Sequence, residues 1–442
     1  MSVVFSSRLT SVNRLRKCTQ MPQMRKSKLA PKKQPSQFAM DHFDAFYSKV
    51  FGLDAWRSMR IALLSKKKYC AVVNPFAVTE ELIERLRSIG CREIVGRPTN
   101  VDTWDASPEV QMTDLPLPMP DMMPNEEDAV FDDSSRFIRK GNTEPLLSFV
   151  PATEIVAQEE IIDEGQYFNF LQPEGDSELA MKTHKPLPAL PLHVYTFPRG
   201  VISDFPSPKK TTNGLFEYYL MDAASLLPVV ALGLEPGDDF ADFCAAPGGK
   251  TLAVAFTQKT RVHFCSDVSA SRVQRLKGIL GSYLPPEERA KITIKLANMT
   301  LISDNSTYNK ILVDVPCSND RSSLESEENN IFHQIRVKER LSLPETQKAI
   351  LTHALRRLRP GGATVYSTCS LSPVQNDSVV YMTLQSFKQM KFVITNLSET
   401  FSPFVEQGLF HLYDKCRYGQ LVMPNLTSNF GPMYICRIER VK

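Results

Sequence analysis

The chain has 442 residues, 42% hydrophobic and 23% charged, with a formal net charge of +3. That balance suits a globular protein of one or two domains with appended segments. No run approaches ~18 consecutive apolar residues, which excludes a transmembrane helix, and the nine cysteines lack CxxC or His/Cys zinc-ligand spacing, so reduced thiols are expected rather than a metal site or a disulfide framework.

Residues 1–37 carry nine Lys/Arg and no Asp/Glu. Basic, Ser-containing and free of the apolar central run of a secretory signal, this start has the composition of a mitochondrial transit peptide; a basic tail that binds RNA or nothing is the competing reading. Residues 38–100 are expected to form a helical region, with apolar residues at helix spacing from Phe43 through Phe51 and again in Glu80–Ile89. Residues 101–190 change character. Between 101 and 165 there are sixteen acidic and three basic residues, and Pro and Met cluster in Leu115-Pro116-Leu117-Pro118-Met119-Pro120. This stretch reads as a largely disordered acidic insertion, a solvated spacer or a protein-docking segment, whose charge would repel RNA. Outside the two charged stretches the chain is mildly basic, which is compatible with RNA.

From 191 to 442 the pattern becomes ordered. Asp238–Phe243 reads as a strand followed by a Gly-rich turn and a helix from Lys250. Arg261–Ser266 is a strand and Ala270–Tyr283 a helix; Lys291–Leu296 and Lys310–Val315 are strands. Pro344–Leu358 is a helix, Ala363–Ser367 a strand, Pro373–Gln389 a helix, and Phe392–Thr395 and Pro432–Ile438 are β-rich. Such alternation predicts an α/β fold with a doubly wound, mostly parallel sheet, whose ligands lie at the carboxyl ends of the strands. Asp242, Asp267, Asp314 and Cys369 all fall at expected strand ends and should meet in one crevice.

The turn Asp242-Phe243-Cys244-Ala245-Ala246-Pro247-Gly248-Gly249-Lys250-Thr251 is not a P-loop, because Cys244 stands where that motif needs glycine, and it is not G-x-G-x-x-G. What remains is a tight strand-to-helix turn whose glycines admit a ligand close to the backbone, at a helix amino end that favours a carboxylate such as that of S-adenosylmethionine. Asp267 sits where an acid takes the ribose hydroxyls of a nucleoside, with a helix N-cap as the alternative; Asp267 and Ser269 can divide the two roles between them. Arg272 is either a partner for the ligand carboxylate or a surface arginine. Asn298 ends the third strand and is either an adenine contact or a turn residue.

Two cysteines follow strands: Cys317 in Leu312-Val313-Asp314-Val315-Pro316-Cys317 and Cys369 in Val365-Tyr366-Ser367-Thr368-Cys369-Ser370. Singly, each would pass for an ordinary buried cysteine. As a pair beside an acid and the Gly-rich turn they suit methyl transfer to a pyrimidine carbon. Cytosine C5 is a poor nucleophile until a thiolate adds at C6. The attacking thiol needs its pKa of ~8.5 lowered, and Asp314 can hydrogen-bond the N3/N4 edge of the ring. Spacing alone does not say which cysteine attacks.

The chain resembles the Sun-type RNA cytosine-5 methyltransferases, and within them the mitochondrial ribosomal RNA branch. The resemblance is carried by Tyr218-Tyr219-Leu220-Met221-Asp222-Ala223-Ala224-Ser225, the Cys244–Thr251 turn, Asp314–Cys317, Glu327-Glu328-Asn329-Asn330-Ile331-Phe332, Tyr366–Leu371 and Asn429-Phe430-Gly431-Pro432-Met433-Tyr434, across about residues 43–100 and 190–442. It implies a class I S-adenosylmethionine-dependent methyltransferase domain over 191–442. Cys369 would be the nucleophile and Cys317 the residue that aids product release. S-adenosylmethionine would be held by Gly248, Gly249, Lys250, Asp267, Arg272, Asn298 and Asp314. The resemblance further implies small-subunit ribosomal RNA as substrate with transfer RNA as the alternative, a helical-repeat partner of the mitochondrial termination-factor family, and residence in the mitochondrial matrix. A non-catalytic ribosome assembly factor on the same scaffold is the reading of another class. The family's Ser-Gly-Thr-Gly after the first cysteine is here Ser318-Asn319-Asp320-Arg321, a departure that itself resembles the mitochondrial branch.

Overall fold

A computed structural model describes residues 33–95, 179–183, 186–302 and 306–441. The expected transit peptide, apart from its last residues, and most of the acidic insertion lie outside the described residues.

The amino-terminal region opens with helices α1 (Pro35–Phe51) and α2 (Leu53–Leu64), followed by β1 (Cys70–Val73), α3 (Glu80–Ser88) and β2 (Arg92–Val95). The all-helical reading of this region needs correction. The apolar run Cys70-Ala71-Val72-Val73 is buried along its whole length, which suits a central strand better than one face of a helix. It pairs antiparallel with β4 (Val194–Thr196) on one side and β5 (Tyr218–Met221) on the other, and β2 completes the four-stranded sheet beyond β4. The carboxyl end of the expected insertion is also structured: β3 (Met181–Thr183) pairs with a strand near the carboxyl end of the chain.

The main sheet follows the alternation expected from the sequence. Its strands are β6 (Asp238–Asp242), β7 (Thr260–Asp267), β8 (Ile292–Leu296), β9 (Tyr308–Asp314) and β10 (Leu358–Thr368), all parallel, then β11 (Phe392–Asn396), β12 (His411–Leu412), β13 (Gln420–Met423) and β14 (Met433–Arg440). Among the described residues the order is β12-β13-β14-β10-β9-β6-β7-β8, with β11 on β14 and β3 on β11. β14 runs antiparallel to β10. Strand order reverses between β6 and β9, which opens the ligand crevice at their carboxyl ends.

Period-two alternation divides the core. Phe240, Leu312, Val365 and Ile435 face one apolar layer, packed under the helices Leu227–Leu232, Gly249–Phe256 and Ala270–Tyr283. Ala241, Ile311, Val313 and Tyr366 face the other, which includes Phe43, Tyr47, Trp56 and Met59 of α1 and α2. The amino-terminal helices therefore share a core with the main sheet, and from Gln34 onward the chain forms one compact unit. Among the described residues no helix is long and apolar enough to cross a membrane, and no group of His, Cys, Asp or Glu has the arrangement of a metal site.

Candidate active site

The turn after β6 is built around a buried acid. Asp242 is 1% exposed and accepts from Thr251 Oγ1 at 2.7 Å and from the Cys244 amide at 3.3 Å, so it ties the start of the turn to the first turn of the helix Gly249–Phe256. Burial raises its pKa to about 7; the Thr251 hydrogen bond opposes the rise and the Asp314 charge adds to it. Gly248 is left-handed at φ 121, and a Cβ there would meet Leu276 Cδ1 at 2.7 Å. A Cβ on Gly249 would meet the Tyr219 ring at 3.2 Å. The positive φ at Gly248 favours glycine, and at Gly249 a side chain would require the Tyr219 ring to give way. The first-turn amides of that helix have no intrahelical acceptor and suit an anionic group.

Asp267 ends β7 and is 2% exposed. It accepts from the amides of Ala246 (3.3 Å) and Ser269 (3.0 Å), and so joins the Gly-rich turn to the next helix. The N-cap of that helix is Ser269, whose side chain accepts from the Arg272 amide; Asp267 is not the cap. Arg272 lies across this corner, 3.5 Å from Asp267 and donating to the Ala246 carbonyl. Asn298 is exposed and stands one residue past Ala297, whose amide bonds the Asp267 carbonyl; its side chain caps a short turn by accepting from Thr300. The structure thus gives Asn298 its turn role and sets it beside the β7 end.

β9 and β10 end side by side, with Asp314 opposite Ser367 in register. Asp314 accepts from Lys250 Nζ at 2.8 Å and from Ser367 Oγ at 2.7 Å. Burial, the largest single influence, depresses the Lys250 ammonium, but Asp314, Cys369 and Asp242 together more than offset it and keep its pKa above the ordinary value. The two chains then leave the sheet in step, and the sulfurs of Cys317 and Cys369 come to 3.2 Å. Cys317 is 5% exposed; Cys369 is half-buried and opens on a cavity of about 220 Å³ lined by Lys67, Tyr69, Asp222, Asn319 and Pro432. The expected lowering of the thiol pKa needs correction. The Cys317 hydrogen bond, burial and the Cys317 and Asp314 charges all push the Cys369 thiol up, with Lys250 opposing.

The loop after Cys317 is locked to the loop after Cys369 by Asp320, which is fully buried. It accepts from Tyr47 Oη at 2.6 Å, from the Leu371 amide at 2.7 Å and from Ser318 Oγ, while its own amide bonds the Cys369 carbonyl at 3.2 Å. Arg321, 7% exposed, reaches the Gly431 carbonyl (2.8 Å), Asn429 Oδ1 (2.7 Å) and the Ala62 carbonyl near the end of α2 (3.1 Å). Asp222 holds the same turn by accepting from the Gly431 amide at 2.9 Å. Sequence reasoning missed Tyr219, Tyr47, Asn319, Asp320 and Arg321 as parts of the site. The polar run Ser318-Asn319-Asp320-Arg321 was the one available signal, since nothing in the pattern pairs Tyr47 with a residue 273 positions away.

A parallel sheet with this strand order, a Gly-rich turn after the strand at its switch point and an acid ending the next strand make a nucleoside-binding α/β domain, and similarity to known proteins places it among the S-adenosylmethionine-dependent methyltransferases. The family described as 16S rRNA methyltransferase RsmB/F matches residues 229–435. A 5-cytosine rRNA methyltransferase NSUN4 of Xenopus laevis is 37% identical over 425 residues, covering 93% of this chain and 92% of that protein. The chain belongs to this family of RNA cytosine-5 methyltransferases. A mitochondrial tRNA (cytosine(34)-C(5))-methyltransferase of Danio rerio is 36% identical over 280 residues, covering 62% of this chain and 73% of its own. A solved methyltransferase homologue from Pyrococcus horikoshii aligns with a TM-score of 0.47 at 17% identity, covering 93% of this chain and 99% of that one.

Proposed function

We propose that this protein methylates C5 of a cytosine in mitochondrial small-subunit ribosomal RNA, with Cys369 as nucleophile. The observation that carries the reading is the meeting of two thiols 3.2 Å apart at the ends of adjacent parallel strands, with Cys369 facing a cavity of about 220 Å³. The relative named for ribosomal RNA matches 93% of the chain, the one named for transfer RNA 62%, which favours the ribosomal substrate.

In this reading the Cys369 sulfur adds to C6 of the flipped cytosine, and the electron density displaced onto the ring makes C5 nucleophilic. Asp314 accepts from the N4 edge of the ring and Lys250 holds Asp314 in place. S-adenosylmethionine would be held by Gly248, Gly249, Lys250, Asp267, Arg272, Asn298 and Asp314 and would supply an electrophilic methyl group on a sulfonium. After transfer the C5 proton passes to solvent, the C5–H electrons re-form the C5–C6 double bond, and the Cys369–C6 bond breaks with its electron pair leaving on sulfur as the thiolate. Cys317, in contact with the departing sulfur, assists that release. The thiol is held protonated at rest, so the addition requires its proton to be removed as the base arrives.

The basic residues that precede α1 act as a transit peptide to the mitochondrial matrix, the acidic stretch between β2 and β3 forms an insertion and 191–442 carry the catalysis, supported by α1 and α2. A helical-repeat partner of the termination-factor family supplies the basic RNA surface that the chain lacks once the basic segment before α1 is removed. Bisulfite sequencing of mitochondrial RNA from cells with and without the protein tests the proposal. Loss of one small-subunit ribosomal methylcytosine is the expected result. Loss of transfer RNA sites instead would replace the substrate, and no change at any site would remove the reading.

A further inference from the structure

We propose that Asn319 is a further catalytic residue: its carboxamide seats on the Cys369 sulfur and gives the reacting thiol a partner in both its protonated and its ionised form. The inference rests on the assignment of Cys369 as nucleophile.

Asn319 stands where the wider family pattern has glycine, and it keeps a left-handed backbone, φ 48 and ψ 57. Asparagine tolerates that conformation better than other side chains. The replacement therefore leaves the turn intact and adds one functional group. That group meets both thiols: Oδ1 lies against Cys369 Sγ and is 3.7 Å from Cys317 Sγ. With the thiol protonated, S–H donates to the amide oxygen. A half-turn about the last side-chain torsion exchanges oxygen for the NH₂ group, which then donates to a thiolate.

The surroundings leave the side chain free to make that turn while fixing everything beneath it. Asn319 is exposed, whereas Asp320 next to it is fully buried and bonds the Cys369 carbonyl and the Leu371 amide, so the loop and the end of β10 are tied together. The nearby cation, Lys250, is already engaged with Asp314 at 2.8 Å. Because burial, Cys317 and Asp314 disfavour the thiolate, a donor directed at the Cys369 sulfur has a large effect here.

Asn319→Gly in the full chain deletes the amide and keeps the left-handed turn. Two readouts apply: the pH profile of Cys369 alkylation by iodoacetamide, followed by mass spectrometry, and single-turnover methyl transfer to a small-subunit ribosomal RNA transcript. The alkylation profile should move to higher pH by about one unit, and transfer should slow about tenfold, with S-adenosylmethionine affinity unchanged. Asn319→Asp, matched in size but without a donor, should be slower still and serves if the glycine variant folds poorly. A wild-type alkylation profile with a wild-type transfer rate in either variant overturns the inference. Cys369→Ala, run alongside, separates the two assignments. If it still turns over, the nucleophile reading fails and this inference with it; if it is inactive while Asn319→Gly behaves as wild type, only the role of Asn319 falls.

Discussion

Asp242→Asn should change how stability depends on pH, and the size of the change follows from burial. The carboxyl is 1% exposed, and its pKa rises from 3.8 in an unfolded chain to about 7. Between those values the native state holds a proton that the unfolded state has lost. Stability therefore falls as pH rises, is highest below the unfolded pKa and stops falling above about 7. Linkage between pH 5 and pH 8 gives a loss of about 2.5 kcal/mol from this one group. The asparagine variant is neutral throughout, can still accept from one neighbour, and should not lose that amount. Urea unfolding of wild type and variant at pH 5 and pH 8 measures the double difference, in which contributions from titrating groups that do not interact with Asp242 cancel. A double difference below about 0.5 kcal/mol would refute the argument that Asp242 folds in its protonated form.

Cys317→Ala should trap a covalent RNA–protein adduct, seen as an RNA-dependent slow band on a denaturing gel; its absence would remove the release role. Asp267→Ala should weaken S-adenosylmethionine by about 1–3 kcal/mol in calorimetry, as for lost hydrogen bonds to a charged group, and unchanged affinity would discard Asp267 as a cofactor contact. Asp320→Ala leaves the Leu371 amide, Tyr47 and Ser318 without their acceptor and should lower stability by roughly 3–5 kcal/mol. A urea-unfolding loss under about 1 kcal/mol would mean that Asp320 does not lock the two cysteine loops.

The parallel strands were legible because each is a short β-branched or apolar run closed by a turn and followed by a helix, and their ends agree within two or so residues for β6 to β9. The crevice followed from those ends: Asp242, Asp267, Asp314 and Cys369 all lie there. β1 and β2 were not legible as strands, since each has four residues and finds its partners only after a long intervening sequence; Cys70 pairs with Thr196 and Met221. The sulfur contact and the roles of Tyr47 and Arg321 depend on such distant pairings and leave no local periodicity. The direction of the Cys369 shift was misjudged for a related reason. The chemistry asks for a thiolate, but Cys317, burial and Asp314 were assembled around it by three-dimensional packing, and their sum favours the thiol.

The way α1, α2 and the turn at 429–432 meet also governs when an active molecule can come into being. Asn429 bonds the Ala62 carbonyl across 367 positions, and Arg321 clamps both from the middle of the chain. During synthesis the first helices wait for partners far along the chain: Phe43 packs on Phe332, Tyr47 bonds Asp320, and the end of α2 meets Asn429 only when nearly the last strand has emerged. Contacts of such sequence separation form slowly and leave apolar surface open to misassembly. The nascent protein should therefore rely on chaperones until its carboxyl end is free, and a chain that stops short of β14 should gain no activity from the motifs it already contains.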